Sequence, residues 1–415
     1  MAEFPSEVDV AVIGAGAAGI GAGRRLRDAG TASFVVAEAR DRAGGRTWTR
    51  IVDRVPIDLG GEWLHSADRN VIAPLAEPLG FSLYKKRPDW TTRLRRSGAT
   101  PKEEAEWLDD REAHYWAIRR AARLAEDRPA SSVLVPGARW NPLFEATSTW
   151  ANAVELEKLS VKDNDRYQDS GLNWRVHQGY GALIAALGGG LPLAFGAAAS
   201  IVDHRGARIR IATARGVVSA ARVIVTVPTA LIAGEILRFD PILPDKIEAA
   251  AGLPLGLANK LFFRFDHDLP GVEDEMFLVG STRRRETMSY QLRPFGRPRI
   301  NCFFGGEFAA GLEREGQAAT AAFAADELAG LFGNDIRRHL EPIDASAWRR
   351  DEWARGSYSY AVPGHADDRA RLAAPVDDRL FFAGEACSLN FFSTAHGAFE
   401  TGIAAADAAL RSLAR

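Results

Sequence analysis

Residues 8–13 form a short β-branched run that stops at a cluster of glycines, a pattern that predicts a strand buried on both faces. Residues 17–29 read as a helix closed by Gly30, and 34–37 as a second strand. Strand, helix and strand in that order call for a parallel sheet with helices on its faces. Between about 70 and 175 the pattern changes. Segments such as 102–127 are charged, tryptophan-bearing and helix-like, so the region predicts a mainly helical insertion. Runs at 198–203, 207–213 and 222–227, parted by polar or glycine turns, predict a small β-meander. Runs at 260–265, 276–280 and 299–304 predict a second sheet with a helix over 317–332 beside it. Residues 380–383 are strand-like, and 395–413 predict a long helix. No repeat or low-complexity tract divides the chain, so its domains are expected to be interleaved along the sequence.

The 415 residues are 47% hydrophobic and 26% charged, ordinary for a globular protein with a large core. A net charge of −2 gives no electrostatic case for nucleic acid. Cys302 and Cys387 lie far apart in sequence, too few for a disulfide framework or a cysteine-built metal site. They fit a reducing cytoplasm. The N-terminus has no basic, apolar leader, and no apolar run approaches the ~18 residues of a transmembrane helix. A cytoplasmic protein with no metal, nucleic-acid or membrane partner is expected, with a homodimer left open.

Gly14-Ala15-Gly16-Ala17-Ala18-Gly19 fits G-x-G-x-x-G, between a strand and a helix, the context that gives the motif meaning. Gly14 permits the tight turn, Gly16 lets the backbone approach a pyrophosphate, and Gly19 lets helix and strand pack closely. The helix N-terminus offers unpaired N–H groups and about half a positive charge to phosphate. Gly23 extends the small-residue stripe toward the sheet. Glu38, ending the second strand, suits ribose hydroxyls. At this point FAD and NAD both remain open. Gly44-Gly45-Arg46 then adds a second glycine pair beside a cation, which favours FAD, a long cofactor lying extended through the protein.

Residues 38–47 (EARDRAGGRT) and 58–63 (DLGGEW) resemble the flavin-containing amine oxidases, which include monoamine oxidases, polyamine oxidases and flavin-type histone demethylases. The resemblance recurs at 222–228 (RVIVTVP), 254–260 (PLGLANK) and 382–405, and it is weakest over 84–175. It implies an α/β fold: a Rossmann-like FAD-binding domain from 1–83, 176–240 and 350–415. A substrate-binding domain of α+β type, mixed sheet plus helices, comes from 84–175 and 241–349. It also implies that Glu38 binds the adenosine ribose and that Arg40 and Arg46 lie near the adenosine and pyrophosphate. Gly60, Gly61 and Trp63 would border the isoalloxazine, and Gly384 and Glu385 the ribityl chain and the far end of the flavin. The backbone of Val202 would flank the adenine. Ala18, Ala39, Gly45, Glu62, Thr394 and Ala395 complete the expected cofactor contacts.

At the reactive end, the helix beginning near 394–397 is placed to stabilise negative charge on reduced flavin, and Gly397 would let its backbone approach the ring. Lys260 stands between apolar segments, either as a strand-end surface residue or as a functional amine. The resemblance implies the second, with the lysine holding a water against flavin N5. Tyr358 matches one wall of the family's aromatic cage. Ser357 stands where monoamine oxidases carry a flavin-linking cysteine, and serine forms no thioether, so FAD is expected to be non-covalent. Thr394 stands where monoamine oxidases have the second cage tyrosine, with Phe391 and Phe392 as candidates to replace it. The run 394–398 (TAHGA) is similar to polyamine oxidases and demethylases. His65, in a Trp-x-His segment, is a candidate substrate contact. The implied reaction oxidises a small-molecule amine to an imine, hydrolysed to aldehyde or ketone, with O2 reduced to hydrogen peroxide. A desaturase or protoporphyrinogen oxidase on the same fold, or a non-catalytic binding protein, is the alternative.

Overall fold

The computed structural model describes residues 4–90, 92–265 and 271–415. The first strand, Glu7–Ile13, lies at the centre of an eight-stranded sheet, and its continuous apolar run follows from burial on both sides. Val10 and Val12 join the core beneath the first helix, while Val8, Ala11 and Ile13 join the core on the opposite face. The helix Ala17–Ala29 and the strand Phe34–Ala37 occupy the ranges expected of them, and Gly30 closes the helix with a left-handed backbone. From edge to edge the sheet runs Arg238–Asp240, Ala199–Asp203, Ile209–Thr213, Gly216–Val225, Glu7–Ile13, Phe34–Ala37 and Leu193–Ala194. Leu380–Phe382 pairs in parallel with the far half of Gly216–Val225.

The expected small meander is present, but it is not a separate sheet. Each of its three strands is antiparallel to the next, and the third is long enough, from Gly216 to Val225, to pair with the first strand of the chain as well. That fuses the meander to the parallel sheet. The C-terminal helix Ala395–Leu413 packs along the first helix with no side chains between them at the crossing. A Cβ on Gly402 would fall 2.0 Å from the Ala18 carbonyl oxygen, and one on Gly21 would fall 2.4 Å from that of Phe399.

The second sheet is antiparallel, in the order Met276–Val279, Ser289–Leu292, Arg299–Gly305, Ala258–Phe265, Leu340–Ala345. Two of its strands, Ser289–Leu292 and Leu340–Ala345, carry too little apolar pattern to stand out in the sequence. Helices Gly306–Glu315 and Gln317–Phe332 cover one face, over a core that includes Phe262, Phe265, Ile300 and Leu328. Each such side chain, fully removed from water, contributes about 1.5–3 kcal/mol. The insertion is mainly helical, as expected. Its longest helix, Pro101–Ala122, opens with a Thr100–Glu103 capping box and buries only Trp107 and Ile118. Trp107, Trp140, Trp150, Leu94 and Leu143 form a satellite core of their own. A three-stranded sheet of Trp63–Leu64, Trp174–Val176 and Leu83–Tyr84 ties the ends of the insertion together.

Candidate active site

A cavity of about 640 Å³ runs from the glycine turn of the first sheet to the face of the second. At its near end Gly14 holds φ 105°, and a Cβ on Gly19 would fall 1.8 Å from the Gly14 carbonyl oxygen. Only glycine allows this strand and helix to approach so closely. The helix itself starts at Gly16 with no side-chain cap and no acidic residue in its first turn. Gly44 donates its N–H to the Ala15 carbonyl at 2.8 Å, and Gly45 comes so near that an added Cβ would lie 3.1 Å from the Gly16 Cα. The two glycine loops thus form one floor without side chains, beneath an uncapped helix N-terminus. Glu38 is buried beside it and accepts the Ala15 N–H at 2.7 Å and the Arg40 N–H at 2.9 Å. Two carboxylate oxygens have further lone pairs free for hydroxyl donors. A floor cut back to backbone, free helix N–H groups and an anchored carboxylate fit the pyrophosphate and ribose of FAD.

In the middle, Arg46 reaches across the chain to the Ser357 carbonyl at 2.8 Å and Glu385 at 2.9 Å. Glu385 also accepts from the Ser359 hydroxyl at 2.6 Å, the Ser359 N–H at 3.1 Å and the Ser393 N–H at 3.0 Å. Burial works to raise its carboxyl pKa, but Arg46, Ser359 and Arg369 outweigh burial and hold it below the ordinary range.

At the far end stands Lys260, on a strand whose seven other residues are nearly all buried. Its ammonium donates to the Asp58 carbonyl at 2.9 Å and to Glu62 at 2.7 Å. An ammonium has three donors, so one is left for a water or cofactor atom. Glu62 in turn lies 3.7 Å from Arg175, which ion-pairs with Glu275 and is enclosed by Trp63, Tyr84 and Phe295 at 4.8, 5.1 and 4.3 Å. Burial raises Glu62, and the paired cations Lys260 and Arg175 more than reverse it. Asp58, buried under the lysine, is pushed up to about 6 by burial, opposed by Lys260 and the Thr49 hydroxyl.

Lys260 and Tyr358 line the same cavity because the segments that carry them pair. Gly256 donates to the Tyr358 carbonyl at 2.9 Å, Ser357 N–H donates to the Gly256 carbonyl at 2.8 Å, and the Ser357 hydroxyl bridges the Ala258 N–H and carbonyl at 2.9 and 2.8 Å. Tyr358 donates its hydroxyl to the Trp150 carbonyl at 2.7 Å, and burial keeps that hydroxyl protonated by raising it above its ordinary value. His65 lines the cavity with Nδ1 2.8 Å from Asn173 Oδ1, and burial lowers its imidazole. Thr394 caps the C-terminal helix through the Gly397 N–H at 3.0 Å, with Ala395 beside it on the lining.

Of the residues assigned to cofactor or substrate, all but Gly19, Val202, Phe391 and Gly397 line this one cavity. Gly19 acts behind it, in the strand–helix packing expected of it. Val202 is a correction: its side chain is fully buried in the sheet core, and its backbone pairs with Ile211 on one side and Phe239 on the other. Ala199, where that strand begins, and Val227 line the cavity instead. Phe391 is a second correction, because its ring packs on His396 at 4.9 Å and only Phe392 reaches the lining. Gly397 is a third. It is off the lining, and a Cβ there would strike the Phe391 carbonyl at 2.0 Å, so its smallness serves the packing of that loop. Glu62, assigned to the cofactor, spends its carboxylate on Lys260. The pattern did not single out Trp90, Arg93, Trp150, Tyr167 and Phe277, which also line the cavity. The tryptophans of the insertion were the one signal available.

A family model described as flavin-containing amine oxidoreductase matches residues 17–107 and 88–410. Polyamine oxidase 3 of Oryza sativa subsp. japonica is 30% identical over 440 residues, 95% of this chain and 88% of that protein. Polyamine oxidase 2 of Arabidopsis thaliana is 30% identical over 451 residues, 98% and 89% of the two chains. Among solved structures, a putrescine oxidase double mutant from a redesign of cofactor binding superposes with a TM-score of 0.77 at 20% identity, covering 99% of this chain and 100% of that one. At that identity the likeness speaks for the fold.

Proposed function

The chain belongs to the flavin-containing amine oxidoreductase family and is an FAD-dependent amine oxidase, and from that premise we propose how its residues divide the work. Gly14, Gly16, Gly45 and the first helix hold the pyrophosphate, Glu38 the ribose, and Arg46 with Glu385 the middle of the cofactor. When bound, FAD supplies the two-electron oxidation of the amine to an imine. Every other part of the reaction falls to positioning, exclusion of water and electrostatics. Tyr358, Trp63 and Phe392 form the apolar walls that steer a neutral amine. Lys260, held by Asp58 and Glu62, presents its remaining donor to a water or to the reacting end of the cofactor. The uncapped start of the first helix and the capped start of the C-terminal one both turn partial positive charge toward an anionic cofactor.

The observation that supports this reading is that Lys260 and Tyr358, nearly a hundred positions apart, line the same cavity as the glycine loops and Glu38. With O2 as acceptor and hydrogen peroxide as product, the test is direct. Purified protein should be yellow, lose its flavin absorbance anaerobically on adding an amine, regain it with air and release peroxide. A colourless protein that takes up no FAD, or a flavin no amine bleaches, would remove the assignment. Acid precipitation should leave the flavin in the supernatant, because Ser357 is tied to Ala258 and has no thiol; flavin in the pellet would refute that. Cytoplasmic residence rests on Cys302 and Cys387 being free and buried. Among the described residues no helix is long and apolar enough to cross a membrane. Light scattering decides whether the protein pairs as a homodimer.

A further inference from the structure

Arg93 opens the short helix Arg93–Arg96 and lies on the same cavity lining as Lys260 and Tyr358. The other cations there have carboxylate partners: Arg40 has Glu38 and Asp351, Arg46 has Glu385, and Lys260 has Glu62. Among the described residues Arg93 has none, and its buried Nε makes no hydrogen bond. Burial, and after it the like charge of Arg111, pulls the guanidinium down to about 10. Its carbon lies 5.5 Å from the ring of Trp150, whose backbone carbonyl takes the Tyr358 hydroxyl at 2.7 Å. The lone cation is therefore one residue removed from the tyrosine wall.

Arg93 is half-buried, with its Nε shut off from water; such a donor is unfavourable unless an acceptor meets it, and the planar fork of a guanidinium matches a carboxylate at two points. Asp169 also touches the lining, but it is exposed and its carboxylate already accepts the Gly171 N–H at 2.8 Å. Solvent screens its field far more than that of Arg93. A polyamine would have to set a second ammonium against a wall whose half-buried, unpaired charge is positive. We propose that the substrate is an amine that also carries a carboxylate, and that Arg93 receives the carboxylate while the amine faces the Lys260–Tyr358 end. This rests on the amine-oxidase reading above and names the substrate class of that site.

The FAD-loaded full chain is titrated calorimetrically with hydrocinnamate and hexanoate, carboxylates with no amine to oxidise. It is also assayed with matched pairs: phenylalanine against phenethylamine, and γ-aminobutyrate against putrescine. Arg93→Ala should weaken carboxylate binding by about 10- to 100-fold, the scale of one charge-assisted contact, with Arg93→Lys in between. The ratio of kcat/KM between carboxylated amine and partner should fall by a similar factor. Equal carboxylate binding by the wild type and Arg93→Ala, or a preference for putrescine that Arg93→Ala leaves unmoved, would overturn the proposal alone. A flavin that no amine of either kind bleaches would end the amine-oxidase reading and this proposal with it. The calorimetric result would still stand as a property of Arg93.

Discussion

Lys260 could be noticed in the sequence as a cation among apolar neighbours, but its partners could not. Glu62 comes from a turn far upstream and Asp58 offers a backbone carbonyl, which no side-chain pattern records. Lys260→Met is expected to retain FAD while slowing flavin reduction or reoxidation by about a hundredfold, the scale of losing one fixed donor; anaerobic stopped-flow absorbance reads both steps. Glu38→Ala removes the acceptor proposed for the ribose and strands the Ala15 and Arg40 N–H groups, so FAD should be lost on gel filtration where the wild type keeps it. His396 gives a pH signature. Its imidazole is buried with neither nitrogen hydrogen-bonded, and burial first, then His65, lower it to about 4. Because the folded value is depressed, its contribution is present above the ordinary 6.5 and is lost as pH falls toward about 4. The span is on the order of 3 kcal/mol. Asp58 acts with the opposite sign: raised to about 6, it destabilises the fold as pH rises from 3.8 through that value. His396→Leu should therefore flatten the acid limb of the melting-temperature profile below pH ~6.5; an unchanged limb would show that the ring is protonated in the fold.

Elements whose period and punctuation agreed were legible. The first helix and strand pair, the helix Gln317–Phe332 and the C-terminal helix Ala395–Leu413 all lie where local pattern placed them. Strands such as Ser289–Leu292 and Leu340–Ala345 were not legible, because their neighbours in the sheet supply the order that their composition lacks. The glycines of the two packed helices are read best as a pair. Gly402→Ala should destabilise the protein by about 1–3 kcal/mol through overpacking, although alanine is the better helix former. Chemical denaturation measures the loss, and a neutral or stabilising result would mean the helices can part without harm. Thr394→Val removes the cap of the C-terminal helix and should reduce stability by about 1 kcal/mol.

Across the whole molecule the cavity joins both sheets, so FAD is expected to stabilise them together. Apoprotein should melt below holoprotein, with a gain of about 2.7 kcal/mol when free FAD reaches a hundred times its Kd. Flavin release and tryptophan emission should change in one transition; two separate transitions would show that the halves unfold independently. The sequence alone determined the nucleotide end, because Gly14 to Glu38 is one contiguous strand–turn–helix–strand unit whose backbone chemistry is written locally. It also carried the identity of Lys260, Tyr358 and Ser357 through resemblance. Tertiary structure decided what those residues touch. The pairing of Gly256 with Tyr358, the fusion of the meander to the first sheet, the burial of Val202 and the isolation of Arg93 all depend on segments far apart in the chain. Such contacts arise from packing and register, which leave no period in the sequence to read.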